Sequence, residues 1–234
     1  MMKKEIVKLF KRNKKIVHYP QVKPLPDTIN VNELSKWIMH ESNLATLLLD
    51  IEIPYKEMFQ EAMAQEHLFV KHRGDVSPGW SSMAIHGTAV DHTQPKEYYF
   101  KENAPDYSWT ELAELCPVTK QWIESLEFDR LDRVRFMKLD PGGYIDPHRD
   151  TDVQGIHAWN VALNNPQGHV FVMDGYGYVP WSEGQVRGID VSKYHSVVNN
   201  GTVPRIHMII HGAFGNKFRK IIVDSYKKLY EEQN

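Results

Sequence analysis

The spacing of apolar residues changes character near residue 130. Upstream, helical spacing dominates. Pro20, Pro24 and Pro26 interrupt the early chain, and Asn30 followed by Glu33 then resembles a capping box opening a predicted helix through Trp37 and Ile38. A second helix is predicted from near Pro54, a residue suited to a first turn, with Tyr55, Met58, Phe59, Ala62 and Met63 at helical spacing. Helical signal returns between Trp109 and Leu115, stops near Pro117, and resumes after Thr119, read as a cap, with Trp122, Ile123 and Leu126.

Downstream the apolar runs are short and broken by Gly, Pro, Asn and Asp. Val134 to Leu139, His157 to Leu163 and His169 to Met173 read as strands, with further candidates at Gln185 to Val191, His195 to Val198 and Ile206 to Ile210. Many short strands with turn-rich connections favour a sandwich or barrel over alternating βα units. The expected fold is mainly β, with helices buttressing one outer face. We expect one domain over residues 1–234: mostly helical support with some strand in 1–130, the main β core in 131–212, and a C-terminal extension in 213–234. In that extension Ile221, Ile222, Val223, Tyr226 and Leu229 suit either a strand or an edge helix.

Composition narrows the function classes. The 234 residues, 41% hydrophobic, supply a sizeable core, while 28 basic and 30 acidic residues leave a formal net charge of -2 and no overall field for nucleic acid or anionic membrane. The single cysteine, Cys116, excludes an intramolecular disulfide and fits a reducing cytoplasm. The opening residues lack a signal-peptide core, and no run is long enough to span a bilayer. Ile6, Leu9 and Phe10 lie among Lys3, Lys4, Lys8, Lys11, Arg12, Lys14 and Lys15. This basic amphipathic segment is expected to pack on its own domain rather than on lipid or nucleic acid.

The chemistry-bearing pattern is Pro147-His148-Arg149-Asp150. On an extended chain His148 and Asp150 share a side while Arg149 points away. The preceding Pro141-Gly142-Gly143 supplies a tight turn that can fix ligand direction, or a plain hairpin connection. His195, at the start of a late strand, can complete two histidines and one carboxylate, the facial set that leaves open positions on iron(II). Alone, His-x-Asp is equally a surface ion pair or a core histidine.

Arg205 follows the turn signal Asn199-Asn200-Gly201 and begins an apolar strand. An arginine facing an interior needs an anionic partner, and the distal carboxylate of 2-oxoglutarate, chelated to iron through its 2-oxo acid end, is the partner expected here. His157, Asn160 and His169 are candidates for further cosubstrate contacts, against ordinary hydrogen-bonded core roles. Trp80, Tyr144, Trp159 and Trp181 are candidates to line a substrate cleft or its lid, against roles as core or loop anchors. The connection Asp174 to Gly184 reads equally as a lid and as a long hairpin turn.

As an ordered set these residues resemble the aspartyl/asparaginyl β-hydroxylase family of iron(II)- and 2-oxoglutarate-dependent oxygenases. The resemblance runs over roughly residues 70 to 212. It includes Gly79-Trp80-Ser81-Ser82 with Gly87, Cys116-Pro117-Val118-Thr119, Pro141-Gly142-Gly143 through Asp150, Trp181 with Gly184, His195 to Asn199, and Arg205-Ile206. It implies a double-stranded β-helix (jelly roll, cupin-like), iron held by His148, Asp150 and His195, 2-oxoglutarate held by Arg205, and dioxygen as co-reactant. His157 or Asn160 is a poorer match to the histidine and arginine that assist the cosubstrate in that family. Asp150 is present, as in bacterial relatives acting on free amino acids and unlike the vertebrate peptidyl enzymes. The expectation is therefore hydroxylation of an unactivated C–H bond in a free amino acid or similar small molecule, releasing succinate and carbon dioxide. Hydroxylation of a protein Asp, Asn or other side chain, desaturation or demethylation from the same site, and a non-catalytic β-sandwich binding protein are the alternatives.

Overall fold

A computed structural model describes residues 4–12, 21–73, 77–93 and 106–234. Lys3, Lys14, Lys15 and Pro20, named above, lie outside the described residues. In chain order the elements are α1 (Lys4–Arg12), α2 (Val31–His40), β1 (Thr46–Leu48), α3 (Tyr55–Ala64), β2 (Val70–Lys71), β3 (Trp80–Gly87), β4 (Ser108–Trp109), α4 (Leu112–Leu115) and α5 (Pro117–Ser125). There follow β5 (Phe128–Leu139), β6 (Tyr144–His148), β7 (Ala158–Ala162), β8 (His169–Met173), β9 (Gly177–Tyr178), β10 (Val186–Ile189), β11 (His195–Asn199), β12 (Arg205–Phe214) and α6 (Asn216–Gln233).

The strands form two antiparallel sheets. The larger has the order β1-β10-β7-β12-β5-β3-β2, with β4 added on β3, and the smaller has the order β6-β11-β8-β9. Residues 1–130 therefore contribute four strands to the large sheet, and β5 crosses the 130/131 boundary.

Strand alternation gives the large sheet two different faces. On β12, Ile206, Met208 and Ile210 enter one core with Phe136, Trp159 and Val161, covered by Phe218, Ile222 and Tyr226 of α6 and Leu34 and Ile38 of α2. The opposite face packs Met137, Leu139, Ala158 and Ile189 against Ile145, Phe171, Met173 and Val197 of the small sheet. Helices thus buttress one face while the two sheets enclose the second core. No helix among the described residues is long and apolar enough to cross a membrane.

Local chemistry explains the helix boundaries. Asn30 caps α2, its Oδ1 accepting from the backbone N–H of Asn32 at 2.9 Å and of Glu33 at 3.3 Å. Thr119 is not the cap of α5. Pro117 opens that helix, and Glu61 from α3 satisfies its first turn, accepting from Val118 N at 2.7 Å and from Thr119 N and Oγ1 at 2.9 and 2.7 Å. A carboxylate at a helix N-terminus also meets the positive end of its dipole. The tail forms an 18-residue helix whose buried Phe218, Ile222, Val223 and Tyr226 follow helical spacing. In α1, Ile6 and Leu9 are buried and Phe10 lies 5.9 Å from the Tyr178 ring, so this segment packs on the small sheet.

Candidate active site and metal centre

Between the sheets lies a cavity of about 390 Å³, lined by His148, Asp150 and His195 and by Arg205 farther along β12. The approach to the first histidine is a constrained turn. Gly142 adopts φ +74°, and its N–H donates to Asn199 O at 2.8 Å, while Asn199 N donates to Gly143 O at 3.0 Å. A Cβ on Gly143 would fall 2.9 Å from Asp140 O and 3.0 Å from Pro78 O. Gly142 supplies the left-handed turn, Gly143 the close backbone approach, and neither lines the cavity.

Pairing of β6 with β11 sets His148 directly opposite His195, which brings residues far apart in sequence to ring centroids 4.4 Å apart. Asp150, just past β6, is tied by its N–H to Val191 O at 2.9 Å, and its Oδ1 lies 3.4 Å from His148 Nε2. One ligand atom from each of the three residues lies within 4.8 Å of the others.

Backbone carbonyls orient both rings. His148 Nδ1–H donates to Asp146 O at 2.7 Å, and His195 Nδ1–H donates to Lys193 O at 2.9 Å. Each imidazole is left with an Nε2 lone pair for a metal. His195 also stacks on Phe171, with centroids 5.7 Å apart and planes 4° apart. Burial, reinforced by His148, holds its pKa below the ordinary value, which keeps the ligating neutral form. Two imidazole nitrogens and a carboxylate, open toward a cavity, fit a divalent ion such as iron(II).

Arg205 is 5% exposed and faces the cavity with no carboxylate partner among the described residues. Burial alone pushes its pKa down to about 9. Its Nη2 donates to His207 Nδ1 at 2.6 Å, and because a guanidinium can only donate, the His207 proton sits on Nε2. That Nε2 and Arg205 Nε are buried without a hydrogen-bond partner. Burial, then Arg205 and His169, hold His207 well below its ordinary pKa. Two adjacent unpartnered donors in an enclosed space suit a carboxylate.

His169 lies outside the cavity lining, 5.9 Å from the His207 ring, with Nδ1–H donating to Asn165 Oδ1 at 2.9 Å. Burial pushes its pKa down to about 2. His157 and Asn160 do line the cavity, with His157 Nε2–H donating to Val153 O at 3.1 Å.

Of the aromatic candidates, Trp80 lines the cavity. Trp159 is fully buried on the helix side of the sheet, 5.2 Å from the Phe218 ring. Tyr144 pairs with Val198 away from the cavity, and Trp181 packs edge-on to His207 at 4.8 Å. The connection from Asp174 to Gly184 packs locally, with β9 on β8 and Tyr176, Val179 and Trp181 buried.

The cavity is also lined by His72, Arg73, Arg133, Arg135, His207 and His211, and sequence reading assigned no role to the first four. Their signal is two alternations, Arg133-x-Arg135-x-Met137 and Arg205-x-His207-x-Ile209-x-His211, whose members all face inward.

A sequence model described as aspartyl/asparaginyl beta-hydroxylase matches residues 55–213. No curated protein matches the chain. Solved structures to which the chain is similar include a 2OG-Fe(II) oxygenase family oxidoreductase from Burkholderia pseudomallei, 10% identical, covering 82% of this chain and 96% of its own with a TM-score of 0.46. A Trichoplax adhaerens prolyl hydroxylase in complex with a hypoxia inducible factor peptide is 11% identical, covering 82% and 91% with a TM-score of 0.48. A Pseudomonas putida prolyl-4-hydroxylase is 14% identical, covering 80% and 100% with a TM-score of 0.43.

Proposed function

Because this chain belongs to the aspartyl/asparaginyl β-hydroxylase family and is a 2-oxoglutarate-dependent dioxygenase, we propose that it hydroxylates an unactivated C–H bond of a small amino acid or amino-acid-like molecule. In this reading the two facing sheets are a double-stranded β-helix, and His148, Asp150 and His195 hold iron(II). The observation that carries it is the pairing of three converged ligand atoms with a buried arginine that has no carboxylate partner among the described residues.

Iron(II) with 2-oxoglutarate and dioxygen supplies the oxidant, one oxygen atom entering the substrate and the other the succinate formed as carbon dioxide leaves. The chain's own residues bind, orient and exclude water. Asp146 O and Lys193 O fix the two imidazoles so that neither can turn its Nδ1 to the metal. Arg205 supplies the charge that holds the far carboxylate of 2-oxoglutarate, and His207 aligns the guanidinium while offering Nε2–H to the same carboxylate. Phe171, Ile145 and Val197 make the surrounding wall apolar, which strengthens these contacts.

Anaerobic titration of the iron(II)-loaded protein with 2-oxoglutarate tests the centre, through the visible absorption band of the iron chelate. Succinate formation across free amino acids and matching peptides tests the substrate class. Stimulation by peptides alone moves the reading to a protein side chain. Folded protein that never develops the band is a binding protein instead.

A further inference from the structure

Two of the three metal ligands are held by one short connection, residues 190–194 between β10 and β11. It supplies Val191 O, which accepts from Asp150 N at 2.9 Å, and Lys193 O, which accepts from His195 Nδ1–H at 2.9 Å. His148 is fixed separately, by Asp146 O and by its register opposite His195. The directions of Asp150 and His195 therefore depend on whatever sets the path of this connection.

A buried carboxylate sets it. Asp190 is 1% exposed, and strand alternation turns it away from the cavity that its neighbours Ile189 and Val191 line. Its Oδ1 accepts from Ser192 N at 3.1 Å and from Ser192 Oγ at 2.5 Å, which closes the turn on itself. The same oxygen accepts from Gly155 N at 3.2 Å, across 35 residues of chain. Lys193 Nζ lies 3.5 Å from Oδ2, while the Asp190 backbone donates to Ala45 O at 2.8 Å and accepts from Lys193 N at 3.2 Å.

Capping a turn requires only the bonds to Ser192. The bond to Gly155 reaches the other ligand-bearing segment and clips it at its far end, as Asp150 N on Val191 O clips it at its near end. Gly155 is a firm anchor: at φ +134° it sits where a Cβ would fall 2.4 Å from His40 Nδ1, and the next residue, Ile156, donates its N–H to Met39 O at 2.7 Å. Asp150 has most need of such support, since its side chain is 45% exposed against 21% for His148, and packing does less to direct it.

We infer that Asp190 is a positioning residue for the metal centre, acting through Val191 O on Asp150 and through Lys193 O on His195. This deepens the proposed function and rests on its assignment of the three ligands. Asparagine at this position keeps the acceptor oxygen and loses only the ion pair with Lys193, so it should serve nearly as well. Alanine removes the acceptor, frees the connection from Gly155 and lets both ligands wander from the ion.

The test is calorimetric titration of the metal-free full chain with manganese(II), beside the anaerobic iron(II)–2-oxoglutarate absorption band recorded at saturating iron. Asp190→Ala should weaken manganese(II) binding by roughly 10–100-fold and shift or flatten the band, whereas Asp190→Asn should stay within about threefold of wild type and keep the band. Glu61→Ala, which removes a carboxylate outside the cavity lining, controls for lost stability and should bind the metal as wild type does. Melting midpoints check that each variant is folded. If Asp190→Ala does not fold, Ser192→Ala decides in its place, because it removes only one of the three bonds to Oδ1: weaker metal binding supports the inference and wild-type binding overturns it. Wild-type affinity and band in folded Asp190→Ala, equal losses in the alanine and asparagine variants, or the same loss in Glu61→Ala would each overturn it too. If His148→Ala binds manganese(II) as tightly as wild type, the fault lies instead in the assignment of the ligands.

Discussion

Replacing Arg205 with methionine should make the ligand-free protein more stable while removing its response to 2-oxoglutarate. The side chain is 5% exposed, and burial alone takes its pKa from 12.5 to about 9. Three and a half powers of ten at about 1.4 kcal/mol each put the cost of keeping this charge buried at neutral pH near 5 kcal/mol. Methionine of similar length removes that cost, but it leaves His207 Nδ1 without its donor, at about 1–3 kcal/mol. The balance is a gain of at least about 2 kcal/mol, or about 4–8 °C in melting midpoint for a chain of this size. At 100 times its dissociation constant, 2-oxoglutarate stabilises a protein that binds it by about 2.7 kcal/mol. Wild type should therefore rise with cosubstrate while the variant stays level, and the two melting curves should converge. The assay is thermal denaturation with manganese(II), with and without 2-oxoglutarate. A variant that melts below wild type without cosubstrate and still shifts with it would refute the placement of an uncompensated cation at this position.

Three further outcomes follow from the geometry. His148→Ala should abolish the iron–2-oxoglutarate absorption band and lower succinate formation at least ~1000-fold, since it removes one of the two imidazoles proposed to hold the iron; a band of normal intensity would remove His148 from the centre. Burial, aided by Arg135, holds His72 at about 3 against 6.5, so between those values the unfolded chain binds a proton that the folded chain refuses. The stability this histidine contributes is complete above pH 6.5 and declines as pH falls toward 3, by about 1.4 kcal/mol per pH unit. Urea unfolding at intervals from pH 7 to 4 should show that slope, reduced in His72→Phe, and identical slopes would count against a buried neutral imidazole. Glu61→Ala should lower stability by about 2–4 kcal/mol, because it leaves two backbone N–H groups and a hydroxyl at the start of α5 without their acceptor; an unchanged urea midpoint would show that water replaces the carboxylate.

The convergence of the three ligands and the inward placement of Arg205 were legible because local patterns that are ambiguous singly agree when taken in order along the chain. His148 and Asp150 alternate on an extended segment, and Arg205 follows a turn and leads an apolar strand. What the chain could not reveal was sidedness. Period-two alternation says which residues share a face, and the interior is assigned to the apolar set. In this fold the space between the sheets is itself partly polar, so Arg135 on Val134 to Leu139 reads as an outward residue although it points inward. The same ambiguity governs Trp159, a cleft candidate by its aromaticity, which faces the helices while Ala158 and Asn160 on either side face the cavity. The cap of α5 was hidden for a different reason: Glu61 lies 57 residues from Val118, and no local pattern carries such a contact.

The position of β12 between β7 and β5 has a consequence for how the molecule is made. A ribosome delivers β1, β7 and β10, and separately β2, β3 and β5, before residues 205–214 exist to join them. Until then each half carries an open edge, the condition in which nascent chains are vulnerable to off-pathway association. The strand that closes this gap also carries Arg205, so a chain stalled before it lacks both a finished sheet and the buried guanidinium of the cavity.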